Sequence, residues 1–186
     1  MAQQKNICFI DFETTGIDIY KDEPIEIGAL VVDGELNIIN KFYSRISLPN
    51  NAIIDNSAFD IHGIKYSDLY ESPSQENVIN LFFESMGTDY CFASWNISFD
   101  VGFFKKICYY NNMIDTFNKI NYRHIDVQSI SQVANRLNIF NKEVNSLSEC
   151  VNYFSLKRKK YHNAYEDALL CKEVYENIIN KIQAMI

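Results

Sequence analysis

Apolar positions recur along the chain with two different periods, and the change between them divides the molecule. Ile7-Cys8-Phe9-Ile10-Asp11-Phe12 is a short apolar run ending at Thr14-Thr15-Gly16, which predicts a buried first strand. Residues 25–32 and 36–46 are β-rich stretches separated by Asp33-Gly34, a hairpin signal, so the second and third strands are expected to be antiparallel neighbours. Helical spacing then takes over. Ser72-Pro73-Ser74-Gln75 reads as a capping box with Pro at the first helical position, followed by Val78, Leu81, Phe82 and Met86 until Gly87. Residues 90–95 predict a fourth strand feeding a helix over 97–110. Residues 122–127 predict a fifth, followed by a helix through Ile130, Val133, Ala134 and Leu137. Ser146-Leu147-Ser148-Glu149 and Asn163-Ala164-Tyr165-Glu166 cap two more helices, the last with an apolar stripe of Ala168, Cys171, Val174, Tyr175, Ile178 and Ile182. Strands first, one hairpin, then strands alternating with helices predicts an α/β domain around a mixed five-stranded sheet with one antiparallel strand.

Composition narrows the class. The 186 residues are 47% hydrophobic, enough for one domain with a sizeable core, and sparse Gly and Pro leave no linker that would split it, so a single domain over 1–186 is expected. Cys8, Cys91, Cys108, Cys150 and Cys171 are scattered and odd in number, with no C-x-x-C pair. This argues against a disulfide framework or a zinc cluster and for reduced core thiols in a cytoplasmic protein. No run approaches the roughly 18 apolar residues of a membrane span. The chain ends at Ile186, soon after the last expected helix, so no long tail for tethering to a partner is expected. With 17 Lys and Arg against 24 Asp and Glu, the net charge of −7 speaks against a broad nucleic-acid-binding surface.

Four acids alter that picture. Asp11 and Glu13 sit two apart at the end of the first strand and share a face, because strand side chains alternate. Asp100 falls in the first turn of a helix that follows a strand, and Asp167 in the first turns of the last helix, with His162 five residues earlier. Singly, each admits a bland role: a solvated strand end, a charge complementing a helix dipole, a surface histidine. Jointly, all four occupy junctions where open α/β sheets place ligands. Four converging carboxylates would repel by roughly 4 kcal/mol per pair at 4 Å and an effective dielectric of 20. A cation among them is therefore expected, and oxygen ligation suits Mg²⁺ or Mn²⁺.

Three ordered motifs carry a family resemblance: Asp11-Phe12-Glu13-Thr14-Thr15-Gly16, Asn96-Ile97-Ser98-Phe99-Asp100 and His162-Asn163-Ala164-Tyr165-Glu166-Asp167-Ala168. Together they resemble the histidine subclass of the DEDD exonucleases, which have a ribonuclease H-like fold. Ile25-Glu26-Ile27-Gly28-Ala29, Ile61-His62-Gly63-Ile64 and Asn145-Ser146-Leu147 are similar to the proofreading epsilon subunits of bacterial DNA polymerase III. Residues 122–127 are instead similar to oligoribonucleases, and Trp95 departs from the histidine that many epsilon-like sequences carry there.

The resemblance implies a metal-dependent 3′–5′ exonuclease acting on single-stranded or frayed DNA and releasing nucleoside 5′-monophosphates, with a DNA polymerase subunit as a further partner. Two divalent ions, Mg²⁺ or Mn²⁺, would be held by Asp11, Glu13, Asp100 and Asp167. Asp11 would bridge both, Glu13 and Asp167 would hold the water-bearing ion, and Asp100 would support the other. His162 would be the general base, so activity is expected to fall at acid pH as imidazole protonates. Thr14, Thr15 and Gly16 are expected to approach the terminal nucleotide, with Phe99 and His62 packing on its base or sugar and Asn96 grouped with them. His124 is expected to be structural. Lys157-Arg158-Lys159-Lys160, the one basic run, either is a solvated loop or contacts substrate phosphates. RNA 3′ ends are the alternative substrate, and a non-catalytic nucleic-acid-binding module is a third reading that the intact acid and histidine set disfavours.

Overall fold

A computed structural model describes residues 5–49, 52, 60, 62–159 and 162–185. Five strands form one sheet in the order β3-β2-β1-β4-β5. They are β1 (Ile7–Thr14), β2 (Pro24–Val32), β3 (Ile38–Arg45), β4 (Cys91–Ser94) and β5 (Asn121–Asp126). β2 runs antiparallel to both β1 and β3, while β4 is parallel to β1 and to β5, so one strand opposes the other four. This is the mixed α/β sheet expected from the sequence.

Strand alternation sorts the two cores. Cys8, Ile10 and Phe12 of β1, with Ile27, Ala29 and Val31 of β2, point to the face covered by α1 (Gln75–Met86) and α2 (Ile97–Tyr110). Phe82, Phe92 and Phe104 pack edge to face there, with ring centroids 4.9 Å apart for Phe82–Phe104 and for Phe92–Phe104. Ile7, Phe9, Leu30 and Val32 point to the opposite face. There they meet α4 (Val127–Arg136), α5 (Leu147–Tyr153) and the long α6 (Ala164–Gln183), the last through Ala168, Cys171, Val174 and Ile178. The short α3 (Ile114–Phe117) lies between α2 and β5 in the chain. All five cysteines are buried and free. Among the described residues, no helix is long and apolar enough to cross a membrane.

Two local expectations need correction. α1 begins at Gln75, with Ser74 rather than Ser72 as its cap, accepting from the Asn77 amide at 3.3 Å. Pro73 precedes the cap, and its carbonyl accepts from the Ser47 amide at 2.9 Å, a bond that fixes the chain before it can turn helical. The buried stripe of α1 is Val78, Ile79, Phe82, Phe83 and Met86, leaving Leu81 51% exposed. The β2–β3 connection also differs in detail. Asp33 Oδ1 accepts from the Glu35 and Asn37 amides, each at 2.9 Å, and the left-handed residue is Leu36, at φ 64°, rather than Gly34.

Candidate active site

The strand alternation that buries Ile7 and Phe9 against α6 continues through Asp11 and Glu13, so both carboxylates face the start of that helix. Asp167 lies in the first turn of α6. Donor atoms of Glu13, His162 and Asp167 all lie within 4.8 Å of one another. Asp100 arrives from the other direction: β4 ends beside β1, the chain turns into α2, and Asp100 Oδ1 accepts from the Phe12 amide at 3.1 Å. The α2 start is itself held by Asp126, which accepts from the Ile97 amide at 3.1 Å and caps α4 through the Ser129 amide at 2.6 Å.

Enclosing so many acids raises their proton affinity. Burial, then Asp100, Glu13, Asp167 and Glu26 in turn, hold Asp11 well above the usual carboxylate range. Glu13 is pushed up to about 8, first by burial and then by Asp167, Glu26 and Asp100, against a lowering pull from Arg158. Burial raises Asp100, opposed by the neighbouring Ser94 hydroxyl and the Phe12 amide. Burial also raises Asp167, opposed by Arg158 and His162.

Two of these neighbours hold places that the sequence reading did not give them: Glu26 had no site role, and Arg158 was expected in a solvated loop or on substrate phosphates. Glu26 stands directly opposite Glu13 in the β1–β2 ladder and is 1% exposed. The signal available for it was a lone acid in an apolar strand, on the same sheet face as Asp11 and Glu13 once the hairpin register is known. Arg158 Nη1 stands 2.8 Å from Asp167 Oδ1, although that oxygen is enclosed and has no aligned hydrogen bond. The basic run is thus divided. Arg158 turns inward to the acids, Lys157 and Lys159 are exposed, and Lys160 lies outside the described residues.

The expected nucleotide contacts differ in how they are placed. Thr14 Oγ1 donates to the Gly16 carbonyl at 2.5 Å. Thr15 is fully enclosed, its hydroxyl accepting from the Glu23 amide at 2.9 Å, so its side chain shapes the turn. Gly16 answers to Asp22, whose carboxylate fills the space where a Cβ would lie. Phe99 is half-buried against Phe103, with centroids 4.9 Å apart, and Asn96 is exposed, its Oδ1 accepting from Ser98 at 2.9 Å. His62 is buried, its Nδ1 accepting from the Ile64 amide at 2.9 Å while Nε2 has no partner. Burial, then the charge on His162, lowers its pKa. His124 is packed against Phe92, with ring centroids 5.7 Å apart and its Nδ1 unpartnered.

The sequence profile of the RNase_T family, described as exonuclease, matches residues 8–175. The DNA polymerase III epsilon subunit of Buchnera aphidicola subsp. Baizongia pistaciae is 32% identical over 171 residues, which are 89% of this chain and 67% of that protein. An oligoribonuclease of Leifsonia xyli subsp. xyli is 26% identical over 141 residues, 70% of this chain and 66% of that one. In fold, the zinc-bound complex of Escherichia coli exonuclease I with single-stranded DNA superposes with a TM-score of 0.83 at 18% identity. That match covers 98% of this chain but 42% of exonuclease I, so this chain spans less than half the length of that relative.

Proposed function

The chain belongs to the RNase_T family of exonucleases, hydrolases of phosphodiester bonds, and from that premise we propose that it trims single-stranded or frayed DNA from the 3′ end, releasing nucleoside 5′-monophosphates. The observation that carries this reading is the meeting of Glu13, His162 and Asp167 donor atoms within 4.8 Å, with Asp11 and Asp100 acting on the same cluster.

The donor set fits a hard divalent cation. Its carboxylate oxygens suit Mg²⁺ or Mn²⁺, and one donor atom each of Glu13, His162 and Asp167 converges within 4.8 Å. Asp11, Glu13, Asp100 and Asp167 are the residues that would hold two such ions. When bound, the ions supply Lewis-acid stabilisation of the phosphate and an acidified water. The rest falls to the protein's own groups. His162, at the loop-to-helix junction, is within reach of both Glu13 and Asp167 and takes the proton from the attacking water. Its backbone sits in the left-handed region at φ 49°, a conformation that only a firmly held junction sustains. The half-buried Phe99 ring offers a stacking surface that tolerates any base. Thr14 and Gly16 border the terminal nucleotide, and Asn96 lies exposed at the head of α2.

Similarity to the epsilon subunit supports DNA as the substrate, a polymerase subunit as a partner and a cytoplasmic setting. Similarity to an oligoribonuclease supports RNA trimming as the second reading. The test is incubation with 5′-labelled single-stranded DNA, matched RNA and a dinucleotide, each with Mg²⁺, Mn²⁺ or EDTA. A ladder of 3′-shortened DNA that disappears with EDTA and in Asp11→Ala is expected. A ladder from RNA alone selects the second reading, and no metal-dependent product from any substrate overturns both.

A further inference from the structure

Glu26 has the attributes of a fifth ligand: a carboxylate, almost wholly buried, opposite Glu13 and on its sheet face. Its oxygens are nevertheless committed elsewhere. Oε1 accepts from the Ala164 amide and from Asn163 Nδ2, both at 3.0 Å. Oε2 accepts from the Tyr43 hydroxyl at 2.8 Å and lies 3.7 Å from Arg45 Nε. A carboxylate has about four lone-pair sites, and these partners use most of them.

Two of those partners belong to the start of α6. The Ala164 amide is one of the helix's first N–H groups, which have no acceptor within the helix. Asn163 is the N-cap, accepting from the Glu166 amide at 3.2 Å through Oδ1 while its Nδ2 donates to Glu26. A negative charge at this end also complements the helix dipole. Two residues on in β2, Gly28 faces the same turn, and any side chain there would occupy the space of the Ala164 and Tyr165 main chain. The glycine sets how closely the helix start approaches the sheet, and the glutamate sets where along the strand it is pinned.

We infer that Glu26, with Gly28, is a positioning residue that holds the first turn of α6 on β2, and thereby holds His162 and Asp167 against Glu13, rather than a ligand of the site. The inference rests on the site assignment above. A misplacement of about 1 Å in such a constellation costs on the order of 100-fold in rate.

The test compares Glu26→Gln with Glu26→Ala. Both lose the charge, so its electrostatic effect on cation binding cancels between them. Only Gln keeps an oxygen that accepts from Ala164 and Asn163. Two readouts are taken on the 186-residue chain: Mn²⁺ affinity by calorimetric titration without substrate, and kcat and KM on single-stranded DNA. Outer-shell partners of ligands are typically worth 10–100-fold, so Glu26→Gln is expected to bind Mn²⁺ about tenfold more tightly than Glu26→Ala. The same ratio is expected in kcat, with KM values alike. Equality of the two variants within about twofold in Mn²⁺ affinity overturns the inference, whether both match the wild type or both fall far below it. If Glu26→Ala does not fold, Asn163→Ser replaces it. Serine still offers an oxygen to cap the helix but lacks the separate amide arm that carries Nδ2 to Glu26, so Mn²⁺ affinity and kcat should fall, and wild-type values of both refute the assignment. Wild-type protein without any exonuclease product would remove the enzymatic reading of the site, while the Mn²⁺ comparison would still judge Glu26.

Discussion

A carboxyl enclosed among other carboxyls keeps its proton longer than it does in the unfolded chain, and Glu13, raised from 4.5 to about 8, is the clearest instance. Between those two values the folded, metal-free protein binds more protons than the unfolded chain, so its stability must fall as pH rises through that window. The melting temperature in EDTA is expected to drop by about 3 °C or more from the acid to the alkaline side, by less in Glu13→Gln, and by less again with Mn²⁺ present. A flat scanning-calorimetry profile across the window contradicts the assignment. Arg158 makes the complementary case. Its guanidinium and Asp167 are both nearly enclosed, at 8% and 11% side-chain exposure. Arg158→Ala leaves a buried acid without its cation and should destabilise the metal-free protein by on the order of 3 kcal/mol in urea titrations, with a smaller loss when Mg²⁺ is bound. At this scale the convergence of Asp11, Glu13, Asp100, Asp167 and His162 was legible, because each lies at a strand or helix junction. The inward turn of Arg158 was not, since four consecutive basic residues suit a solvated loop or a contact with substrate phosphates until the loop's path is known. The role of the Thr15 hydroxyl within the turn was hidden for a similar reason, because the sequence does not show that it accepts from the Glu23 amide.

Elements were read most reliably where periodicity and a cap agreed. Ser146 and Glu149 form the expected reciprocal box at the start of α5, and Asn163 caps α6. α1 shows what periodicity leaves undecided. Val78, Phe82 and Met86 define a stripe that either Leu81 or the pair Ile79 and Phe83 can complete, and only the sheet beneath selects between them. Phe82 packs on Phe42, Phe83 and Phe104, so Phe82→Ala should cost about 3–5 kcal/mol by chemical denaturation. Leu81→Ala should stay within about 0.5 kcal/mol. Reversal of that order would show that the wrong face has been assigned to the core. The cap at Ser74 was displaced from the expected Ser72 by a bond from distant Ser47, a long-range contact that no local pattern contains.

Across the whole molecule, the charge of −7 and the acid site bear on each other. Two divalent ions would add four positive charges, leaving about −3 on the loaded chain. With Arg158 turned inward, Lys157 and Lys159 are the exposed members of the basic run among the described residues, a short track for a phosphate backbone. Binding should therefore depend weakly on salt, with a slope of log KM against log salt concentration below about 2, and long duplex should bind poorly. A steep slope would reveal a basic track elsewhere on the surface. The sequence by itself determined the strand and helix order, the mixed sheet and the placing of the acids at strand and helix junctions, because strand alternation, helical period and capping chemistry act over a few residues. Only the tertiary structure decided that Glu26 opposes Glu13 and grips a helix start 138 residues later. It likewise decided that Arg158 enters the acid cluster, and that α6 approaches β2 closely enough to require Gly28. Those pairings depend on the register and distance between elements, which the packing of both sheet faces sets and no local period encodes.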